Sequence, residues 1–296
     1  MVATAPALPL STVALEAPKA PSVWRRLVAN RRALLGVTVI TALYLVAILA
    51  PVISPYDPNA QTLLARLKPP SMAHPMGTDG FGRDVLSRAL WGARASLIVS
   101  LAAMALSMLV GALVGVAAGF FRGWVDDLLM RITDVFIAFP VFILVITLVA
   151  IYGSSLGLLI VFLSVTSWPR TARLVRGEVL SLSERDFVTS ARVVGAGNWR
   201  IMLMHVLPNA VPVMVVTATL QVAVVILIET ALSYFGLGVP PPTATWGNMV
   251  ADGRGFLDTA WWVTSFPGAL VVITVMAYNL LGDGLQDVLD PRRHRS

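Results

Sequence analysis

Five stretches of this 296-residue chain carry no charged side chain over more than twenty residues: Ala33 to Ile53, Ala95 to Phe121, Val135 to Trp168, Val206 to Ile228 and Thr259 to Gly282. About 20 apolar residues in a helix cross the roughly 30 Å of hydrocarbon in a bilayer. The third stretch is too long for one crossing, and Gly153-Ser154-Ser155 interrupts it as a turn between two helices should. Its first half is expected to reach back through Leu128 and Arg131, and its second half to continue past Pro169. The pattern predicts an all-α polytopic membrane protein with six transmembrane helices. Composition agrees: 57% of residues are apolar and 13% charged, against about 25% charged in soluble domains. Too few polar side chains remain to cover a water-facing surface, which excludes a soluble enzyme.

The rare residues exclude further chemistry. There is no cysteine, so disulfides, thiol nucleophiles and cysteine-held metals are ruled out. The histidines His74, His205 and His294 are far apart and no HExxH occurs, so no metal site is expected. Lys19 and Lys68, the only lysines, are followed by Ala20 and Pro69, whereas a phosphate-cradling P-loop needs Lys followed by Ser or Thr. No cofactor is expected on this chain; if ATP drives it, another chain hydrolyses the ATP.

The net charge of +6 does not read as a nucleic-acid surface, because the basic residues lie between apolar runs. They read as topology determinants. With the N-terminus inside, sixteen fall on the inner side: Lys19, Arg25, Arg26, Arg31 and Arg32; Arg122 and Arg131; Arg170, Arg173, Arg176, Arg185, Arg192 and Arg200; Arg292, Arg293 and Arg295. Six fall outside: Arg66, Lys68, Arg83, Arg88, Arg94 and Arg254. Both termini are therefore expected in the cytoplasm. Trp91, Trp124, Trp168, Trp261 and Trp262 sit at expected helix ends, where indole favours the interface. Residues 1–23, rich in Ala and Pro without a basic n-region, read as a disordered cytoplasmic tail and not a signal peptide. The expected organisation is that tail, the first helix with its outer loop over 24–92, a five-helix core over 93–285, and a second tail over 286–296.

Two loops are too long and too patterned to be plain connectors. The outer one reads Pro55-Tyr56-Asp57-Pro58-Asn59 and then His74-Pro75-Met76-Gly77-Thr78-Asp79-Gly80-Phe81-Gly82-Arg83-Asp84. Its prolines and glycines demand fixed turns, and Asp79, Arg83 and Asp84 are placed for a local ion-pair cluster. It is either a folded cover on the helix ends or a docking surface for an extracytoplasmic partner. The inner one, about 181–207, carries Ser183-Glu184-Arg185-Asp186-Phe187 and Thr189-Ser190-Ala191-Arg192-Val193-Val194-Gly195-Ala196-Gly197. Ser183 with Asp186 resembles the start of a capping box, and a short helix should stop at Gly195 or Gly197, where glycine tolerates a left-handed cap. Pro208 then marks the start of the fifth span, where a helix N-terminus accepts proline.

The inner loop resembles the signature of binding-protein-dependent ABC importer permeases: Glu-Ala-Ala, three residues, Gly, nine residues, Ile, any residue, Leu-Pro. Ala191, Gly195, Leu207 and Pro208 match, while Thr189, Ser190 and His205 replace the Glu, the first Ala and the Ile. Tyr56-Asp57-Pro58-Asn59, Gly77-Thr78-Asp79, Gly82-Arg83-Asp84, Trp246-Gly247-Asn248-Met249 and Asn279-Leu280-Leu281-Gly282-Asp283-Gly284-Leu285 with Asp290-Pro291-Arg292 resemble the dipeptide/oligopeptide/nickel branch, in the subunit type with an outer loop after helix one. The resemblance runs from about residue 24 to 293. It implies the MetI-like fold of type I importers and a bacterial or archaeal cytoplasmic membrane. It further implies four kinds of partner: a homologous second permease, two ATPases that bind ATP and Mg, an extracytoplasmic solute-binding protein, and membrane lipid. The segment from Glu184, Arg185 and Asp186 through Thr189 to Gly195 would be the coupling helix that seats in the ATPase. The solute, whether dipeptide, oligopeptide or nickel, is left open.

Glu229 is the one carboxylate well inside an apolar stretch, where an ionised group is costly and should face the bundle interior or a partner. It reads as a structural hydrogen-bond partner, a path-lining group or a proton site. Gln221, eight residues earlier, is expected on roughly the same face and could join either polar role. The methionines read as packing fillers. A secondary transporter or channel subunit using Glu229 is the rival reading; a membrane hydrolase lacks any visible nucleophile, base or metal.

Overall fold

The computed structural model describes residues 23–289. In chain order its helices are α1 (Val23–Ala29), α2 (Arg31–Ile53), α3 (Val85–Phe121), α4 (Gly123–Ala138), α5 (Val141–Tyr152), α6 (Leu156–Ser183), α7 (Asp186–Val193), α8 (Asn198–Ile201), α9 (Leu207–Tyr234), α10 (Trp246–Gly253) and α11 (Trp262–Leu289). Among the described residues the one β-type pairing is a bridge between Thr78 and Asp84. Among the described residues five helices are long and apolar enough to span a membrane: α2, α3, α6, the continuous run Asn198–Tyr234, and α11. The pair α4 and α5 makes a sixth if its two bent halves count as one crossing. The all-α polytopic expectation therefore holds. Most of the expected 1–23 and 286–296 tails lies outside the described residues, and α11 runs four residues past the expected core boundary at 285.

Glycine sets the central packing. Gly111, Gly115 and Gly119 recur every four residues on α3 and face α6, which runs in the same direction. A methyl group on Gly111 would come within 2.5 Å of Thr171 Cβ, and one on Gly115 within 2.5 Å of the Ala172 carbonyl. Small residues at this spacing let two helices approach to backbone contact, where van der Waals attraction is strongest. Gly36 on α2 and Gly284 on α11 do the same for a second pair, lying against Leu281 and Ala33. Tyr44 and Tyr278 share a hydrogen bond of 2.9 Å across that pair.

Three expectations need correction. The third span is not one helix from Leu128 onward: it bends by 82° between α4 and α5. Pro140 has no N–H to continue the ladder, and it pushes Phe139 out of the helical region to φ −85°, ψ 130°. Ser183 is not a cap: it lies inside α6, its hydroxyl donating to the Val179 carbonyl at 2.6 Å, and Arg185 precedes α7 without a side-chain cap. Pro208 sits in the first turn of α9, as expected, but the span itself starts earlier, because the backbone is already helical from Asn198. A π-turn over Met202–Val206 absorbs the proline, and the Asn209 amide donates to the His205 carbonyl at 2.6 Å.

Candidate functional site

At the end of the bundle carrying α7, the chain leaves α6, forms α7, and returns through α8 into the fifth span. Gly195, at φ +85°, closes α7 with paired bonds: its N–H donates to Arg192 O at 2.9 Å, and Ala196 N–H to Ala191 O at 3.0 Å. This is a Schellman turn, and it selects Gly195 over Gly197. Val188 is fully buried in a cluster with Val179, Leu182, Ile201 and Val206, and Ala191, Ala196 and Leu207 pack against the same cluster. The opposite face is open. Glu184, Arg185, Asp186, Thr189, Ser190 and Arg192 are exposed, and Val193 and Val194 are 84% and 87% exposed. Glu184 alone of these is tied back, through Arg122 at 3.1 Å. Pro208 is exposed on the same side.

At the other end, the segment 54–84 folds over the helix termini. Gly77 and Gly82 take φ near +70°, and a methyl group on Gly82 would collide with the Thr62 carbonyl. Thr78 is buried, its hydroxyl donating to Ala65 O and its carbonyl accepting from Trp262 Nε1 at 3.2 Å. Asp79 pairs with Arg83 at 2.6 Å, as its spacing suggested. Asp84 does not join that pair. It accepts from Ser87 N at 2.7 Å as the N-cap of α3 and contacts His74 Nδ1 at 2.9 Å. Sequence reasoning missed two members of the network: Arg88, 3.5 Å from Asp79, and Asp252 on α10, 3.2 Å from Arg83. Asp79, Arg83, Asp84 and Arg88 are each less than a tenth exposed. To solvent the loop presents Leu63, Leu64, Met72 and half of Phe81, among exposed polar residues that include Asp57, Asn59, Arg66 and Lys68.

Gln221 and Glu229 are not brought together. Eight residues at 3.6 per turn leave them about 80° apart around the axis and about 12 Å along it. Gln221 accepts from Thr171 Oγ1 at 3.1 Å and lines a cavity of about 430 Å³ between α5, α6 and α9. Glu229 is fully buried on another face, accepting from Ser233 Oγ at 2.8 Å, with the Thr245 side chain as a second neighbour of its carboxyl. α10 packs beside it: a methyl on Gly247 would meet Ser233 Cβ at 2.6 Å, and Trp246, fully buried, donates from Nε1 to Ala89 O at 3.0 Å. Among the described residues no cluster of three or more His, Cys, Asp or Glu could hold a metal ion.

Residues 111–295 match the family model described as the binding-protein-dependent transport system inner membrane component. Residues 22–70 match the N-terminal transmembrane domain of oligopeptide transport permease C. The chain is 40% identical over 275 residues to the di/tripeptide transport system permease protein DppC of Pseudomonas aeruginosa, covering 91% of each. It is 40% identical over 278 residues to the oligopeptide transport system permease protein OppC of Bacillus subtilis, covering 93% of this chain and 91% of that one. Among solved structures, a chain of the MetNI methionine ABC transporter in an inward-facing conformation aligns with 69% of this chain and 96% of its own length, at TM-score 0.56 and 22% identity, which supports a common fold. A family model over more than half of the residues and relatives at this identity lead to one conclusion: the chain belongs to the binding-protein-dependent transport system inner membrane components, the multi-pass permeases of ABC importers.

Proposed function

We propose that this chain forms half of the translocation path of an ATP-driven importer for di- or oligopeptides, delivered by an extracytoplasmic binding protein. The names of its relatives favour peptides over nickel as the solute. The observation that carries the mechanism is α7. It is a short helix, rigidly joined to the bundle through Val188, Ala191 and Ala196, whose other face is open and studded with Thr189, Ser190, Arg192, Val193 and Val194. A helix seated in this way transmits a push. Closure of two partner ATPases, which would hold the ATP and Mg, displaces α7, and the shared cluster passes that displacement to α6 and α9. A homologous second permease would supply the other half of the path. In this reading the α7 end is cytoplasmic, as are both termini, and the loop 54–84 lies outside in the cytoplasmic (inner) membrane. The loop's buried charges hold its shape while Leu63, Leu64, Met72 and Phe81 face the binding protein. Gln221 lines the path, and Glu229 serves as a buried hydrogen-bond partner for Ser233.

The test is uptake into vesicles reconstituted with both permeases, with and without the ATPases. Peptide import that needs ATP and the binding protein is expected; import driven by a proton gradient alone would instead make this chain a secondary transporter. A reporter fused after Pro69 should be extracytoplasmic, and fusions near Gly197 and after Arg293 cytoplasmic.

A further inference from the structure

The basic residues on the second half of α6 do not share one fate. Arg176 contacts both oxygens of Asp126 at 2.5 Å, and Arg173 reaches Asp134 at 2.5 Å. Arg170 makes no hydrogen bond or ion pair among the described residues, and it opens into the cavity of about 430 Å³ that Gln221 also lines. Counted from the sequence alone, Arg170 falls among the inner-side topology residues. The helix packing puts it deeper. Its neighbour Thr171 lies against Gly111 of α3, ten residues short of the end of that helix at Phe121. At 1.5 Å per residue that is about 15 Å from the inner end of the charge-free stretch and about 24 Å from its outer end at Ala95, within the inner half of a hydrocarbon core roughly 30 Å thick. A guanidinium at such depth is retained where it faces a water-filled cavity or a counter-charge, and such residues mark substrate paths.

The cavity walls fit an anionic group. Thr166, Ser167 and Arg170 come from α6 and Gln221 from α9, and none of the lining residues is acidic. Thr171 donates to the Gln221 carbonyl oxygen, which leaves the amide nitrogen with two N–H groups to offer. Arg170 adds five more in a planar fork that matches a carboxylate. The rest of the wall is Val and Ile with Phe142, suited to side chains of mixed character. The Phe139–Pro140 break lies alongside, since α5 begins at Val141 in the cavity wall. The volume corresponds to about fourteen waters at roughly 30 Å³ each.

We propose that Arg170, with Gln221 beside it, is a recognition point within the inner half of the membrane span for the C-terminal carboxylate of the transported peptide. The inference rests on the reading of this chain as a peptide permease. A carboxylate fits the site better than a neutral group because the guanidinium is otherwise unneutralised at this depth. The site is open and built by one permease half, so the contact can form and release as access alternates.

The experiment uses the complete reconstituted complex with wild-type, Arg170→Gln or Arg170→Lys permease. A tripeptide and its C-terminal amide are each loaded onto the binding protein to equal occupancy. Wild type should import the acid faster than the amide. Arg170→Gln should lower import of the acid about tenfold and leave the amide little changed, so that the acid-to-amide ratio falls towards one. Arg170→Lys, which keeps the charge but loses the fork, should be intermediate. An unchanged ratio in Arg170→Gln overturns the assignment. Loss of the second permease from purified Arg170→Gln complexes also overturns it, since Arg170 would then pair with a carboxylate of that subunit. Wild-type vesicles that import no peptide at all overturn the functional reading itself and this inference with it.

Discussion

At the loop end of the bundle, a cluster of charged side chains is buried and paired within the chain; at the α7 end, the charged side chains lie at the surface beside open valines. Asp79, Arg83, Arg88 and Asp252 satisfy one another across 54–84, α3 and α10, and Asp84 caps α3 while holding His74. Around α7 the inward face is packed as tightly, but Val193, Val194 and Trp199 are left 84%, 87% and 66% exposed. The first region finds the partners of its buried charges within its own sequence and leaves its outer apolar residues, Leu63, Leu64 and Met72, in the open. The second has surface that only another molecule would cover, and an exposed apolar patch beside charged residues marks such an interface. A permease needs both: a cap whose shape is held from within the chain, and a handle that does nothing until it is gripped.

The largest effect should come from breaking the paired end. Arg83→Ala leaves Asp79 and Asp252 short of their partner, and removing one member of a buried ion pair costs about 3 kcal/mol. Hydrogen exchange across 60–84 should speed up about a hundredfold while α7 keeps its wild-type protection; uniform change at both ends would mean that the two regions are one cooperative unit.

Glu229 comes next. Glu229→Leu removes the acceptor of Ser233 and leaves a buried hydroxyl unpaired, at about 1–3 kcal/mol, so thermal stability of the solubilised complex should drop. Glu229→Gln keeps the acceptor and should transport near normally. Intact assembly with uptake abolished by Gln would show that the charge itself is required.

At the α7 end, Gly195→Val tests conformation without crowding, since a methyl group there meets nothing within 4 Å. A branched residue in the left-handed region costs about 1–2 kcal/mol, enough to undo the turn that ends α7. ATPase copurification and coupled uptake should both fall about tenfold with insertion unchanged, and Ser296→Ala should alter neither. Wild-type coupling would remove α7 from its role as the lever.

The smallest effect sharpens the contrast. Val194→Ser should change stability by less than about 0.5 kcal/mol, as exposed substitutions do, yet weaken ATPase capture a few-fold. Undiminished capture would mean that the exposed valines do not face the ATPase.

Much of this was legible in the residues themselves. Spans depend on apolar length, and a glycine cap depends on one backbone angle; both are local, so Ala33 to Ile53 and Gly195 could be read one segment at a time. The spacing of Gly111, Gly115 and Gly119 also stands in the sequence, but it went unread until α6 showed what it packs on. Proline marks where local reading ended. Pro51, Pro169, Pro212 and Pro267 lie inside α2, α6, α9 and α11 without ending them, whereas Pro140 turns the chain by 82°. All five lack the same N–H, so the residue type alone does not tell a bend from a continued helix. The same holds for charge. Arg83 and Asp252 are 169 residues apart, and Arg170 is indistinguishable in sequence from Arg173 and Arg176 until α4 supplies carboxylates to two of them and not to the third. The sequence determined how much of the chain belongs in a membrane and where its short helix stops, because those outcomes are set by residues next to one another. The tertiary structure decided which charges are paired and which arginine faces an open cavity, because each depends on what another helix brings to the same depth.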